Sequence, residues 1–286
     1  MEWRMSGNKK NIVAFNYLGA KNAWLNYLYP HFPMHDHFVD VFGGSASVSL
    51  NKSKSKIETF NDINKDVVNF FNVLRDFPKE LLAQLALTPY SRAEFQNSWP
   101  IYDDDPIIWA RKFYTRSRQS FAGLGTQKRG KGWLMAKMSG RSDLPEGVGK
   151  WRNGWESLIQ VADRLSEFQI ECRDFRKLIP AIDYKEAFFY LDPPYLLESR
   201  NCPSGSDYKH DLKNNDHIDL ADLIKTIEGK AAISGYDSPF MHELYSDWFF
   251  VKFPIKRNNI RFNPVQECLW MNYDSSIGLK QKSLFN

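Results

Sequence analysis

The chain has 286 residues, 43% of them hydrophobic and 25% charged, with a formal net charge of +4. That composition excludes a disordered chain and is enough for one extended α/β domain with a smaller insertion. No run approaches the ~18 apolar residues of a membrane span, MEWRMSGNKK lacks the apolar stretch of a secretory signal, and Cys172, Cys202 and Cys268 are too scattered for a zinc site or a disulfide framework. A cytoplasmic location, no membrane partner and no metal are therefore expected.

In chain order, Asn16-Tyr17-Leu18-Gly19-Ala20-Lys21 is a glycine turn that carries an aromatic ring and a lysine into a segment with Trp24, Leu25, Leu28 and Tyr29 at helical spacing. A short strand over Phe38 to Phe42 then runs into Gly43-Gly44-Ser45-Ala46-Ser47 and Val48-Ser49-Leu50. Strand, small-residue turn and helix open a nucleotide-binding βαβ unit. The full G-x-G-x-x-G pattern is absent, which argues against a nicotinamide cofactor. A second strand, Ile57 to Phe60, ends in Asn61-Asp62. An acid there is placed to hydrogen-bond ribose hydroxyls, or else it caps the helix predicted from Asp66 to Leu74.

The pattern stays helical to about Phe121, with Leu81, Leu82 and Leu85 on one face and a later helix from Pro106 through Trp109 and Phe113. From Gly125 to Arg152 the character changes. Lys128, Arg129, Lys131, Lys137, Arg141, Lys150 and Arg152 stand against only Asp143 and Glu146, a surplus larger than that of the whole chain. Six glycines in the same stretch predict a flexible or hairpin-forming insertion suited to phosphate contact, the alternative being a solvated basic loop. Lys128 and Lys131 are the candidates for phosphate, Arg129 for a base edge, and Arg116 and Arg118 are a second candidate DNA surface. An amphipathic helix from Trp155 to Phe168 follows, and Ile170 to Arg173 leads to Asp174-Phe175.

Ala187 to Leu191 is an apolar run without helical periodicity, read as a strand buried on both faces and stopped by Pro193 and Pro194. Asp192, a stiff carbonyl pair and the Tyr195 ring leave the strand together at its carboxyl end, where open α/β sheets bind ligands. The exocyclic amine of adenine is a poor nucleophile because its lone pair is delocalised. Hydrogen bonds from its two hydrogens to the Asp192 carboxylate and the Pro193 carbonyl would favour a tetrahedral nitrogen able to attack an electrophilic methyl group. Tyr195 offers a ring on which an extruded base can stack, a role for the ring and not for the hydroxyl. The alternative is a plain turn. A polar loop over 196–215, a helix over 216–227, a strand over 230–234 ending at Ser234-Gly235-Tyr236-Asp237, and strands near 248–253 and 266–273 complete the alternation, which predicts a mostly parallel sheet covered on both faces.

Taken together, Tyr17 to Lys21, Phe42 to Ala46, Asn61-Asp62, the helix with Arg116 followed by Phe121 and Gly123, Asp174-Phe175, Asp192 to Tyr195, Ser234 to Asp237 and Glu267 to Tyr273 resemble the Dam-type DNA adenine methyltransferases in both content and order. The resemblance implies an α/β, Rossmann-like fold for S-adenosylmethionine, mostly parallel with an antiparallel C-terminal strand. It divides the chain into a catalytic domain over 1–75 and 168–286 and a helical target-recognition domain over 76–167. Cofactor contacts would fall to Tyr17, Lys21, Phe42, Gly43, Gly44, Ser45, Asp62, Asp174, Phe175 and Asp192, and the catalytic set would be Asp192, Pro193, Pro194 and Tyr195. Double-stranded DNA is the implied partner, a monomer the expected state, and a companion restriction endonuclease is left open. Two departures stand out: Ala46 replaces a glycine common in the family, and Tyr17 replaces a frequent tryptophan. The same acceptor geometry would serve cytosine N4 or RNA adenine, and an inactive nucleic-acid-binding relative is the rival from another class.

Overall fold

The computed structural model describes residues 11–99, 102–127, 132–135, 144–196, 209–257 and 264–276. Among them, seven strands form one sheet: β1 (His37–Asp40), β2 (Ile57–Asn61), β3 (Gln169–Glu171), β4 (Ala187–Leu191), β5 (Lys230–Tyr236), β6 (Phe249–Lys252) and β9 (Glu267–Met271). A small hairpin of β7 (Lys256–Arg257) and β8 (Pro264–Val265) precedes β9. The sheet order is β3-β2-β1-β4-β5-β9-β6. Neighbours are parallel from β3 to β5, and β9 runs antiparallel to both β5 and β6.

This is the expected Rossmann-like methyltransferase architecture, and its order dictates where a ligand goes. Strand order reverses at β1, the chain stepping outward to β2 and β3 on one side and then to β4 and β5 on the other, so a crevice opens beyond their carboxyl ends. All five side chains of β4 are buried, as the apolar run predicts for a central parallel strand.

The helices are α1 (Leu25–Leu28), α2 (Ser47–Asn51), α3 (Lys65–Asp76), α4 (Pro78–Leu87), α5 (Arg92–Asn97), α6 (Pro106–Gln119), α7 (Glu146–Glu156), α8 (Leu158–Leu165), α9 (Phe175–Ile182), α10 (Asn214–Ile224) and α11 (Pro239–Leu244). Asn64, Ser91 and Asp105 cap α3, α5 and α6 through side-chain oxygens that accept from first-turn amides. Phe15, Phe60, Phe70, Phe71, Phe113, Tyr114 and Trp151 belong to one buried cluster, so α3, α6 and α7 share a core with β2. On the sheet side of α9 and α10 a second core gathers Val39, Leu178, Phe189, Leu220 and Trp270.

Local predictions need two corrections, and the alternative offered for Asp62 falls away. The glycine-rich end of the basic insertion is helical: α7 buries Trp151 against Tyr114 at 5.5 Å between ring centroids. Its glycines serve packing, since a Cβ on Gly147 would lie 2.4 Å from the Tyr90 hydroxyl and one on Gly154 2.8 Å from that of Tyr114. Helix α9, with Pro180 inside it, and the short α11 were unmarked in the pattern. Asp62 does not cap α3; Asn64 does.

Candidate active site

The crevice is a cavity of about 720 Å³ lined by every residue expected to hold cofactor: Tyr17, Lys21, Phe42 to Ser45, Asp62, Asp174, Phe175 and Asp192. Pro193, Pro194 and Tyr195 line it as well.

The glycine turn after β1 sets one wall. A Cβ on Gly43 would sit 2.1 Å from the Phe60 ring, and Gly44 has φ +53 with the Tyr17 ring 3.1 Å from the position of a Cβ. Both positions are therefore closed to other residues, which keeps bare backbone at the cavity surface. Asp62, at the end of β2, accepts from Gly44 N at 2.8 Å and from Asn64 N at 2.7 Å. Burial pushes its carboxyl up to about 6, against the pull of those two amides. Asp174 caps α9 and accepts from Arg176, while the Phe175 and Phe42 rings lie 5.8 Å apart beside it.

At the far side, β4 delivers Asp192 beside Lys21. The Lys21 ammonium lies 2.8 Å from Asp192 Oδ2 and 3.7 Å from Glu267 Oε1, donates to Gly19 O at 3.1 Å, and sits 4.9 Å from the centroid of the Tyr195 ring. Its backbone is anchored too, Lys21 N donating to Ser47 Oγ at 3.0 Å. Asp192 is pushed up by burial and pulled back by Lys21 and by the Tyr195 hydroxyl. Asp192 Oδ1 is buried with no hydrogen-bond partner among the described residues. An unpaired buried acceptor of that kind costs on the order of 1–3 kcal/mol, and a ligand that donates to it recovers the loss.

The Tyr195 ring packs edge-on against Tyr236, with centroids 4.6 Å apart. Its hydroxyl, for which the sequence suggested no role, donates to Glu267 Oε2. The hydroxyl is thus engaged in a buried hydrogen bond that the sequence did not indicate. Glu267 is pushed up to about 7, chiefly by burial, with the Lys21 ammonium opposing and Asp192 adding to the rise. Pro194 O is held by His217 Nε2 from α10 at 3.2 Å, which fixes the proline turn from behind. Where the chain is next described, Lys209 pairs with Asp66 at 3.1 Å and donates its amide to Gln127, bringing His210, Asp211 and Leu212 to the cavity wall.

Residues 17–104 and 136–260 match the family described as D12 class N6 adenine-specific DNA methyltransferase. The chain belongs to that family. It is 24% identical over 232 residues to the modification methylase StsI of Streptococcus sanguinis, covering 77% of this chain but 34% of that protein. It is 24% identical over 247 residues to a DNA adenine methylase of Haemophilus influenzae, covering 79% of each. With a DNA adenine methylase of Vibrio cholerae it shares 25% over 253 residues, covering 83% of this chain and 86% of the relative. This D12-class chain thus spans about a third of the length of its modification-methylase relative and most of the length of the adenine methylases.

The residues expected to touch DNA fare differently from the cavity set. Lys128, Arg129 and Lys131 lie outside the described residues. Arg116 does not form a DNA-facing surface: it is fully buried, donates to Ser98 O at 2.6 Å and lies 5.1 Å over the Trp99 ring. Burial lowers its guanidinium to about 10. Arg118 is half-buried and braces the start of the chain, reaching Asn16 Oδ1 at 3.2 Å and Ala14 O at 3.3 Å. The sequence reading gave no role to two cavity residues, Asp40 and Glu267, the latter named there only within a matching motif, nor to His217 behind the proline turn. Asp40 ends β1 as Asp62 ends β2, so the same strand-end logic would have found it. Its carboxylate accepts from Ser49 Oγ and is pushed up to about 7 by burial.

Proposed function

We propose that this protein transfers a methyl group from S-adenosylmethionine to the exocyclic N6 amine of adenine in double-stranded DNA, after the base has left the duplex. The observation that carries the reading is Asp192 Oδ1, a buried acceptor without a partner, opening on a cavity large enough for a nucleoside cofactor and a base together. Family membership and the adenine methylases among its relatives support the base and the atom.

The residues present suit the cofactor. Bare backbone at Gly43 and Gly44, the Asp62 carboxylate at the end of β2, and the Phe42 and Phe175 rings offer a surface for an adenosine, with Asp62 for the ribose hydroxyls. S-adenosylmethionine supplies an electrophilic methyl group on its sulfonium. The protein's part is to make the amine a nucleophile and to hold it in line. Asp192 Oδ1 takes one amine hydrogen and the Pro193 carbonyl the other, concentrating the lone pair on nitrogen as it becomes tetrahedral. Lys21 on Oδ2 opposes the upward push of burial on Asp192 and so favours the anion, in which Oδ1 is an acceptor. The Tyr195 ring holds the base in the slot by stacking. In this reading, residues 76–167 form the target-recognition domain, and Lys128, Arg129 and Lys131 bind DNA.

The experiment is incubation with methyl-labelled S-adenosylmethionine and DNA of mixed sequence, then digestion to nucleosides. Label in N6-methyl-2′-deoxyadenosine supports the reading. Label in N4-methylcytosine, or label only with RNA, contradicts it.

A further inference from the structure

We infer that His217 is a positioning residue for the transfer: through the Pro194 carbonyl it fixes the backbone torsion that the two prolines leave free, and so sets where the Tyr195 ring meets the target base. The inference rests on the adenine-methylating reading above.

The turn after β4 has little freedom, and its residue types decide where that freedom lies. Each proline ring fixes its own φ, and Pro194 holds the ψ of Pro193 in the extended range. The ψ of Pro194 is therefore the loose torsion of the pair. It swings the Pro194 carbonyl and carries Tyr195 with it, because the peptide between them is planar. Neither proline has an N–H, so the pair can be tied down only through its carbonyl oxygens. His217 Nε2 lies 3.2 Å from Pro194 O. A carbonyl only accepts, so Nε2 carries the proton.

Helix α10 holds that donor firmly. Leu220, Ala221 and Ile224 follow His217 at spacings of three, four and seven, and all four are buried. An apolar side chain would suit the first position of that stripe as well as the other three. A buried imidazole there needs hydrogen bonds, and one of them goes to Pro194 O. The helix is pinned in turn: Arg176 on α9 donates to Asp216 at 2.6 Å and to Asp219 at 2.8 Å, and Leu220 and Ile224 share a core with Leu178 and Ile179. Tyr195 is thus gripped at both ends. Its hydroxyl bonds to the Glu267 and Asp192 side chains, and His217 sets its backbone end. With the hydroxyl end alone held, the ring pivots out of the plane in which a base stacks on it. Asp192 and the Pro193 carbonyl precede the loose torsion and keep their places, so His217 acts through the Tyr195 ring.

The test compares wild type, His217→Leu, His217→Gln, His217→Asn, Tyr195→Ala and the double variant His217→Leu/Tyr195→Ala. Alanine at 217 is unsuitable, because His217, Leu196, Ser234 and Met241 already border a void of about 10 Å³, and enlarging it would admit a water able to replace the bond. Leucine keeps the bulk without a donor, glutamine brings an amide nitrogen to the reach of Nε2, and asparagine stops short of it. Single-turnover methylation, KM for DNA, calorimetric affinity for S-adenosylmethionine and urea midpoints are measured for each. His217→Leu is expected to slow transfer about three- to tenfold, the size of one neutral hydrogen bond, with KM and cofactor affinity within about twofold of wild type. His217→Gln should stay within about twofold of the wild-type rate, and His217→Asn should resemble leucine. In the Tyr195→Ala background the leucine substitution should slow transfer by less than about twofold, because no ring is left to misplace. Glutamine and asparagine variants of equal rate overturn the inference, as does full multiplication of the leucine and alanine effects. A residue that merely supports the fold would lower the urea midpoint and leave the rate of the folded fraction unchanged, which overturns it as well. Should the leucine variant not fold, asparagine takes its place in both comparisons. Wild-type protein that methylates no adenine removes the reading and the inference together, whereas an active wild type with His217→Leu at full rate removes the inference alone.

Discussion

Ala46 turns the chain from the glycine loop into α2 with φ 55 and ψ 25, the left-handed region that a side chain enters at a cost of about 1–2 kcal/mol. Its methyl group is fully buried, which offsets part of that cost. Replacing it with glycine should change stability by less than about 1 kcal/mol, the relief of strain set against the lost methyl and a freer unfolded chain. Ala46→Val should destabilise by about 2 kcal/mol or more, because a β-branched residue fits this conformation poorly. Urea midpoints of the two variants check both. At Lys21 the expectation is larger. Lys21→Ala leaves Asp192 and Glu267 buried without their shared cation, and loss of one partner of a buried pair typically costs about 3–5 kcal/mol. Calorimetry should also find weaker cofactor binding; unchanged stability and affinity together would contradict the ion-pair geometry. The site was legible at Asp192 to Tyr195 because a strand ended by two prolines has one place to put its next side chains. Glu267 was not, since the partner that makes it matter lies 72 residues away in the chain. Arg116 was misread for a related reason: spacing of two on a helix sends neighbouring arginines to different faces, here one into Ser98 and Trp99 and the other toward Asn16.

Among the elements, the join between the sheet and the helical insertion depends on a buried charge cluster under β2. Glu58, almost wholly buried, pairs with both Lys52 and Arg164, and Arg164 on α8 also donates to Ser49 O at 3.3 Å. Glu58→Ala leaves two cations buried and should lower folding stability by about 3–5 kcal/mol. Glu58→Gln should be milder. Chemical denaturation measures both, and an alanine variant as stable as wild type would mean that α8 is held by packing alone. The strands were readable because apolar runs bounded by turn residues have few alternatives, and β1, β2, β4, β5 and β9 fall within a few residues of the sequence reading. Helix α7 was not readable, because tertiary contacts override the low helix propensity of its glycines. Pro180 likewise hid α9, although Leu178 and Ile179 are wholly buried.

At the scale of the whole molecule, the cavity gathers buried acids. Asp40 and Glu267 titrate near 7 and Asp62 near 6, above the ordinary 3.8 and 4.5, in each case chiefly through burial. A carboxyl raised in the folded state binds protons there that the unfolded chain has released. Its contribution to stability is therefore full at acid pH and is lost as pH rises from about 4 to about 7. Asp40→Asn, which keeps an acceptor for Ser49, should gain stability relative to wild type between pH 5 and pH 8 by upwards of about 1 kcal/mol. A difference that does not move with pH would mean that Asp40 is ionised throughout.

The central claim is that Asp192 Oδ1 accepts from the amine as it is methylated, and single-turnover transfer to adenine by Asp192→Ala, under saturating cofactor and DNA, tests it most directly. The side chain pairs with Lys21 through Oδ2 and leaves Oδ1 to the cavity, and Lys21 keeps Glu267 as a second carboxylate, so the variant should fold. Its rate should fall by roughly a hundredfold or more, the loss typical of deleting one donor or acceptor aimed at a transition state. A folded Asp192→Ala protein that methylates adenine at close to the wild-type rate would contradict the account.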